Sequence, residues 1–367
     1  MLVWLMHHFA PFLQRLEDAA SGDSRVFLTA RTALAAMTSF IVAWLFGPMA
    51  IRWLKSRFRE PIKSASDRLN ELHAAKAATP TMGGLFIVGA ILVAGLLCGD
   101  LSSPYVQQGL FVTATFGLLG AADDWIKIRT HKRGLTARQK FLLQFVLALL
   151  VSGWLYSVQH DKPHGLEIVW PIGKLAISLG PLFVVWAAFV MVGSSNGVNL
   201  TDGLDGLATG CLIIAGTAFT VLCYVAGHHG MAEYLAAPYF AGAGELSVLF
   251  GAMVGALLGF LWYNCYPAQV FMGDTGSLPT GALLGLGALV IRQEVLLAIV
   301  GGVFVVETLS VILQVAWFKL TGRRLIACSP LHNHFVFRGE HEIKIVVRFW
   351  ISSALLALIA VASLKIR

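Results

Sequence analysis

Apolar residues come in long blocks along almost the whole chain, separated by short connections that hold most of the charge. Each block is near the ~20 residues that a helix needs to cross a hydrocarbon core of about 30 Å. Ten such spans can be drawn, at roughly 26–50, 82–98, 107–122, 141–158, 175–193, 207–227, 246–263, 279–291, 295–318 and 349–364. The pattern predicts an all-α polytopic membrane protein with ten transmembrane helices. Strands of an outer-membrane barrel would alternate apolar and polar positions over about ten residues, which these blocks do not do. A single integral-membrane domain over 1–367 accounts for the pattern, with 1–25 an interfacial segment leading into the first span.

Composition strengthens this reading. Hydrophobic residues make up 57% of the 367 and charged residues only 13%, where a soluble protein carries about 25% charged. An ordinary soluble enzyme is thereby excluded. The 37 glycines suit close helix–helix approach in lipid. Cys98, Cys211, Cys223, Cys265 and Cys328 form no C-x-x-C pair and read as buried small hydrophobes, not as a disulfide framework or a zinc site. The N-terminus lacks a basic first region and a small-residue cleavage site, so no cleavable signal peptide is expected.

The net charge of +7 reports topology before it reports a partner. Connections 52–80, 123–140 and 319–348 hold 7, 6 and 6 Lys/Arg, 19 of the 27 in the chain. The positive-inside rule puts these connections in the cytoplasm, together with 193–206 and 264–279, and both termini outside. The outer loop 159–174 carries a β-branched stretch between Pro and Gly turns, compatible with a small hairpin.

Acidic residues number twenty and gather at the inner ends of spans, where ionisable groups are costly and therefore candidates for function. Asp123 and Asp124 are adjacent where the third span meets a basic loop, a candidate base or metal site; solvated acids balancing Lys127, Arg129 and Lys132 are the plainer alternative. Asn196, Asn199, Asp202 and Asp205 are spaced by three, which on a helix brings neighbours to one face. Glycines 197, 203 and 206 argue that this helix is broken or closely approached, as where backbone lines a polar cavity; a simple Asn/Asp/Gly turn is the alternative. The connection from Asn264 to Ser277 holds one carboxylate, Asp274, and no Lys or Arg. Mg²⁺ takes one or two carboxylates plus substrate phosphates, which makes Asp274 a metal candidate, although it could equally cap a helix. Phe271 could stack on a base or simply pack.

Cations on the same face are Lys76, Lys127, Lys140, Arg323, Arg324 and Arg338, with His332 and His334 nearby. Together with the acids they suggest a phosphate-rich substrate, since positioning and charge neutralisation dominate phosphoryl transfer. His332 and His334, two residues apart, would not share a helix face, but within a loop they could bind a phosphate or sugar oxygen. Glu307 lies inside the ninth span, with no readable function.

In order, KAATPTMGG, ADDWIK, NGVNLTDGLDGLA, FMGDTGSL and PLHNHF resemble the motifs of the phospho-N-acetylmuramoyl-pentapeptide transferases, a family of polyprenyl-phosphate transferases, and the resemblance covers nearly the whole chain. It implies ten transmembrane helices with both termini periplasmic, in the bacterial cytoplasmic (inner) membrane, and an active site facing the cytoplasm. It also implies that undecaprenyl phosphate attacks the β-phosphorus of UDP-N-acetylmuramoyl-pentapeptide, with Mg²⁺ required, releasing UMP and forming lipid I. Carried onto this sequence, it makes Asp123, Asp124, Asp274 and His332 catalytic, with Asp274 holding Mg²⁺. Lys76, Asp205, Asn264 and Phe271 match the nucleotide end, with Phe271 stacking on uracil. Thr81, Asn199 and Asp202 line the adjoining cleft, while Lys127, Asn196 and His334 complete the substrate-binding set. The expected partners are both substrates, membrane lipids and, in a homodimer, a second copy of the chain; nucleic acid is not among them.

Two positions depart from the family pattern. Asn333 stands in the middle of the three-histidine motif, and Val336 where an acid is common. We read both as variation that leaves activity intact. A sister transferase using a UDP-N-acetylhexosamine without peptide is the nearest alternative, disfavoured by PLHNHF and TPTMGG. A secondary transporter is the remote one, disfavoured because the acids cluster at one face and no duplicated pair of broken segments appears.

Overall fold

A computed structural model describes residues 27–57, 79–130, 134–170 and 175–364, with Met1 and Val3. The expected interfacial segment 1–25 lies almost wholly outside the described residues, as does Lys76. The helices are α1 (Leu28–Arg57), α2 (Gly84–Cys98), α3 (Pro104–Thr130), α4 (Ala137–Gln159), α5 (Phe183–Thr201), α6 (Leu207–Ala226), the short α7 (His229–Tyr234), α8 (Leu246–Asn264), α9 (Asp274–Val290), α10 (Glu294–Val300), α11 (Gly302–Thr321), α12 (Leu331–Phe337) and α13 (Glu342–Ser363). Seven helical stretches among the described residues are long and apolar enough to cross a membrane: 28–56, 137–159, 180–201, 207–226, 243–264, 302–321 and 342–363. The chain is a polytopic helical membrane protein.

All ten expected spans are helical, with differences at their ends. The outer end of the fifth begins late, because residues 176–178 form strand β2 (Ala176–Ser178), paired antiparallel with β1 (Glu167–Val169), and Pro181 starts a single 3₁₀ turn. The expected hairpin therefore exists but reaches past the loop assigned to it. The ninth span is two helices: α10 stops at Gly301, and α11 starts from the same residue. Cys98, Cys211 and Cys223 are buried as expected, whereas Cys265 is exposed and Cys328 half-buried.

Helix α9 is the centre of the bundle, and all 17 of its residues are buried. Glycines let its neighbours reach it. A Cβ on Gly84 of α2 would collide with the backbone at Gly276, and one on Gly120 of α3 with the backbone at Asp274. On α8, Gly251, Gly255 and Gly259 form a stripe at four-residue spacing against the α1 backbone at Thr32, Ala36 and Phe40. Lipid tails compete with apolar side chains, so such close backbone contact, not hydrophobic exclusion, holds these helices together.

One intramembrane charge absent from the sequence reading is structural. Arg31 of α1 is buried and pairs in bidentate fashion with Glu245, at 3.0 and 2.6 Å, while its Nε donates to the Cys98 carbonyl at 2.8 Å. This pair ties α1 to the start of α8 and the end of α2.

Replacing Gly255 by Val is expected to force α1 and α8 apart and to cost about 2 kcal/mol, read as a lower unfolding midpoint in detergent. Gly89→Ala, where a Cβ meets nothing within 4 Å, is the control and should be neutral or slightly stabilising.

Candidate active site

Three carboxylates meet where α3, α4, α5 and α9 come together. Asp123 and Asp124 lie toward the C-terminal end of α3, and Lys127, one turn further on, turns its ammonium back over them. Lys127 Nζ lies 3.1 Å from Asp123, 3.2 Å from Asp124 and 2.7 Å from Asp274. Lys140 Nζ reaches the same Asp274 oxygen at 2.6 Å and Asp123 at 3.6 Å. Lys140 is delivered by a sharp entry into α4, where Thr136 and Gln139 form a reciprocal capping box. The loop before it passes Gly134, at φ +78°, where a Cβ would strike Asp123 Oδ1. That approach lets the Leu135 N–H donate to Asp123 at 2.6 Å.

The adjacent acids do different work. Asp124 accepts from the backbone N–H groups of Asp274 at 3.2 Å and Thr275 at 3.0 Å, and from the Thr275 hydroxyl at 2.7 Å. It is therefore the cap of α9, supplied from another helix, and holds Asp274 in place. Asp123 has only one backbone donor among the described contacts and keeps its second oxygen toward the lysines. Asp274 takes both ammoniums on Oδ2 and the Asn199 amide on Oδ1 at 2.5 Å. Gly273, at φ +70°, makes the turn into α9 and leaves room for Asp124.

The run of residues spaced by three is only partly helical. Helix α5 ends at Thr201, so Asp202 and Asp205 lie in a turn, as the glycines suggested. Asn199 faces the acids and also donates to Ser277 at 2.8 Å, but Asn196 donates sideways to Gln144 of α4 at 2.8 Å. Asp202 is enclosed near Asp274, and burial followed by that like charge pushes its carboxyl up to about 7. Asp205 accepts from the Ala268 N–H at 2.9 Å, while its own N–H donates to Glu342 at 2.8 Å.

Asn264 uses its amide internally, accepting from the Gly206 N–H and the Thr209 hydroxyl and donating to the Val270 carbonyl. It shapes the loops around the expected nucleotide end. Phe271 is half-buried, and its backbone pairs with Pro80 and Gly83, beside the buried Thr81. His332 and His334 are on the short helix α12, not in a loop, and point apart as their spacing requires. His332 is buried against Glu307, and His334 Nδ1 accepts from the Ala327 N–H at 3.2 Å. Asn333 is buried, and Val336 packs at the edge of the apolar core. The sequence reading named Lys140 without giving it a role and missed Thr275 and Ser277 altogether; a polar face on the first turn of α9 was the available signal.

Three carboxylates and two ammonium groups thus gather at one end of a bundle of apolar helices. A sequence model described as glycosyl transferase family 4 matches residues 106–292. The chain is 48% identical over 344 residues to a phospho-N-acetylmuramoyl-pentapeptide-transferase of Nitratidesulfovibrio vulgaris strain DP4, covering 93% of this chain and 94% of that one. It is 47% identical over 370 residues to a protein of the same name from Maridesulfovibrio salexigens, covering 99% and 100%. The chain belongs to the phospho-N-acetylmuramoyl-pentapeptide-transferase family.

If Asp124 is the cap of α9, Asp124→Ala should cost about 1–2 kcal/mol of stability, and Thr275→Val about 1 kcal/mol. Thermal unfolding of both variants in detergent checks this; an unchanged midpoint for Asp124→Ala would remove the capping role.

Proposed function

We propose that this protein transfers phospho-N-acetylmuramoyl-pentapeptide from its UDP-linked donor to undecaprenyl phosphate, releasing UMP and forming lipid I. The observation that carries the reading is the convergence of Asp123 and Asp274 on the ammoniums of Lys127 and Lys140 at 2.6–3.6 Å. Family membership supplies the substrates. The chemistry is then an in-line displacement. A phosphate oxygen of the lipid attacks the β-phosphorus, the bond from that phosphorus to the bridging oxygen breaks, and UMP leaves with the bridging oxygen.

Each residue's part follows from its surroundings. Asp123, with one oxygen turned to the cleft, accepts the remaining proton of the lipid phosphate and raises its nucleophilicity. Lys127 and Lys140 neutralise charge that accumulates on the phosphoryl oxygens. Asn199 and Asp124 hold Asp274. Thr81, Asp202, Asp205 and Phe271 line the nucleotide side, with Asn264 bracing its loops and Phe271 offering a face to uracil. Lys76, outside the described residues, is assigned there too. His332, against the 202–206 turn, is assigned to the donor side, whereas Asn196 and His334, engaged with Gln144 and the Ala327 N–H, brace its walls.

Mg²⁺ fits this donor set. Asp274 offers a carboxylate here, with both ammoniums on Oδ2, and a hard divalent ion takes one or two carboxylates plus phosphate oxygens, displacing an ammonium when it binds. Among the described residues no group of three His, Cys, Asp or Glu is arranged around a metal position, so Asp274 would hold the ion together with phosphate oxygens of the substrate. When bound it would add charge neutralisation on the diphosphate.

We place the protein in the bacterial inner membrane with ten crossings, both termini periplasmic and the site facing the cytoplasm, on the clustering of 19 of 27 basic residues in three connections. Purified protein with undecaprenyl phosphate and Mg²⁺ should release UMP from UDP-N-acetylmuramoyl-pentapeptide and not from UDP-N-acetylglucosamine. Release only from the simpler sugar nucleotide would move the chain to the sister activity. Asp274→Asn should abolish Mg²⁺-dependent turnover. Asp123→Asn should lower the rate constant by at least about 100-fold while nucleotide binding holds; an unchanged rate constant would remove Asp123 as the base.

A further inference from the structure

Glu307 is a carboxylate in the apolar helix α11, fully buried, and no step above uses it. An ionisable group at such a place is costly unless it is partnered. The backbone N–H of His332 donates to both its oxygens, Oε1 at 3.1 Å and Oε2 at 3.4 Å, and Oε2 also lies 3.2 Å from His332 Nδ1. The Nδ1 contact is at ion-pair distance without hydrogen-bond alignment, and no other acceptor reaches that nitrogen. Helix α12 has Pro330 at its N-cap, which offers no side-chain acceptor, so Glu307 takes over the first turn. The other edge of the ring faces the turn that carries Asp202 and Asp205. A Cβ on Gly203 would collide with His332 Nε2.

We infer that Glu307 is a positioning residue for His332: its carboxylate anchors the helix that carries the histidine, its Oε2 also holds the Nδ1 edge of the ring, and Nε2 is thereby presented to the substrate side at the 202–206 turn. The inference rests on the proposed transfer reaction, which places His332 on the donor side. A carboxylate suits the task because both its oxygens accept, so it can meet the backbone N–H and the ring edge together. An amide offers one oxygen and one NH₂, and would set donor against donor at one of the two sites. Carboxylate-oriented imidazoles are a general device for fixing which nitrogen faces the reaction.

The test is a double-mutant cycle on the full-length protein in detergent. Glu307→Gln should lower kcat by at least about tenfold, with KM for the nucleotide donor within about twofold. In a His332→Asn background, Glu307→Gln should change kcat by less than about twofold, because the ring it positions is gone. Full loss in both backgrounds, or no loss in either, overturns the inference. If the Gln variant does not fold, Glu307→Asp, which keeps both oxygens on a shorter arm, carries the same cycle. A readout independent of turnover is the carbethoxylation rate of His332 by diethylpyrocarbonate, followed by mass spectrometry. It should rise at least threefold in Glu307→Gln once the ring is released, and equal rates overturn the inference. Wild-type protein that releases no UMP would sink the transfer reading, and the carbethoxylation rates would still decide the positioning claim.

Discussion

Three carboxylates can share one buried site only if cations are brought to them, and this electrostatic constraint organises one end of the bundle. Asp123, Asp124 and Asp274 are each at most 6% exposed. Unneutralised, they would repel one another strongly in a poorly screened environment. Lys127 answers from the same helix face as the paired acids, where spacings of three and four residues bring side chains together. Lys140 comes from the next helix, and it arrives only because Gly134 lets the loop pass Asp123 and the Thr136–Gln139 box starts α4 at the right residue. The ammoniums that let the acids coexist are also groups that phosphate oxygens pair with, which is what the proposed reaction needs at this place.

The same constraint explains why α9 is central. Its first residue is Asp274, and its first N–H groups are capped by Asp124 from α3. Two helices are locked in register by one carboxylate, and glycines at 84 and 120 remove the bulk that would hold them apart. The helix dipole adds a favourable field for anions at this end. Packing and catalysis are thus not separable here; a change in how α3 meets α9 moves Asp274.

Much of this was legible in the sequence. Apolar blocks gave helices at all ten expected places, and the acid-rich motifs converge as their placement at inner span ends suggested. What was not legible came from partners far apart in the chain. Lys140 meets Asp274 across 134 positions and Arg31 meets Glu245 across 214, and no periodicity records such pairs. Spacing by three misled for Asn196, because Gln144 of a neighbouring helix competes for its amide. The break in the ninth span was written in Gly301 and Gly302, but two glycines in an apolar block also suit close packing, and only the neighbouring helix distinguishes the two. There Gly302 does both, since a Cβ on it would meet Leu356.

Helices α3 and α9 carry the three clustered acids and fall outside the seven stretches that meet the length and apolarity of a span. Their polar groups face other helices, so they need not match a hydrocarbon solvent along their whole length. Helix α11 is the opposite case. It exposes apolar side chains such as Leu309, Ile312, Leu313 and Phe318, yet holds Glu307 fully buried. A carboxylate on that helix is tolerable only on the face that meets α12, where the His332 backbone and ring supply its partners. The lipid-facing requirement on one side of α11 therefore dictates where its charge can go, and with it which imidazole the charge can hold.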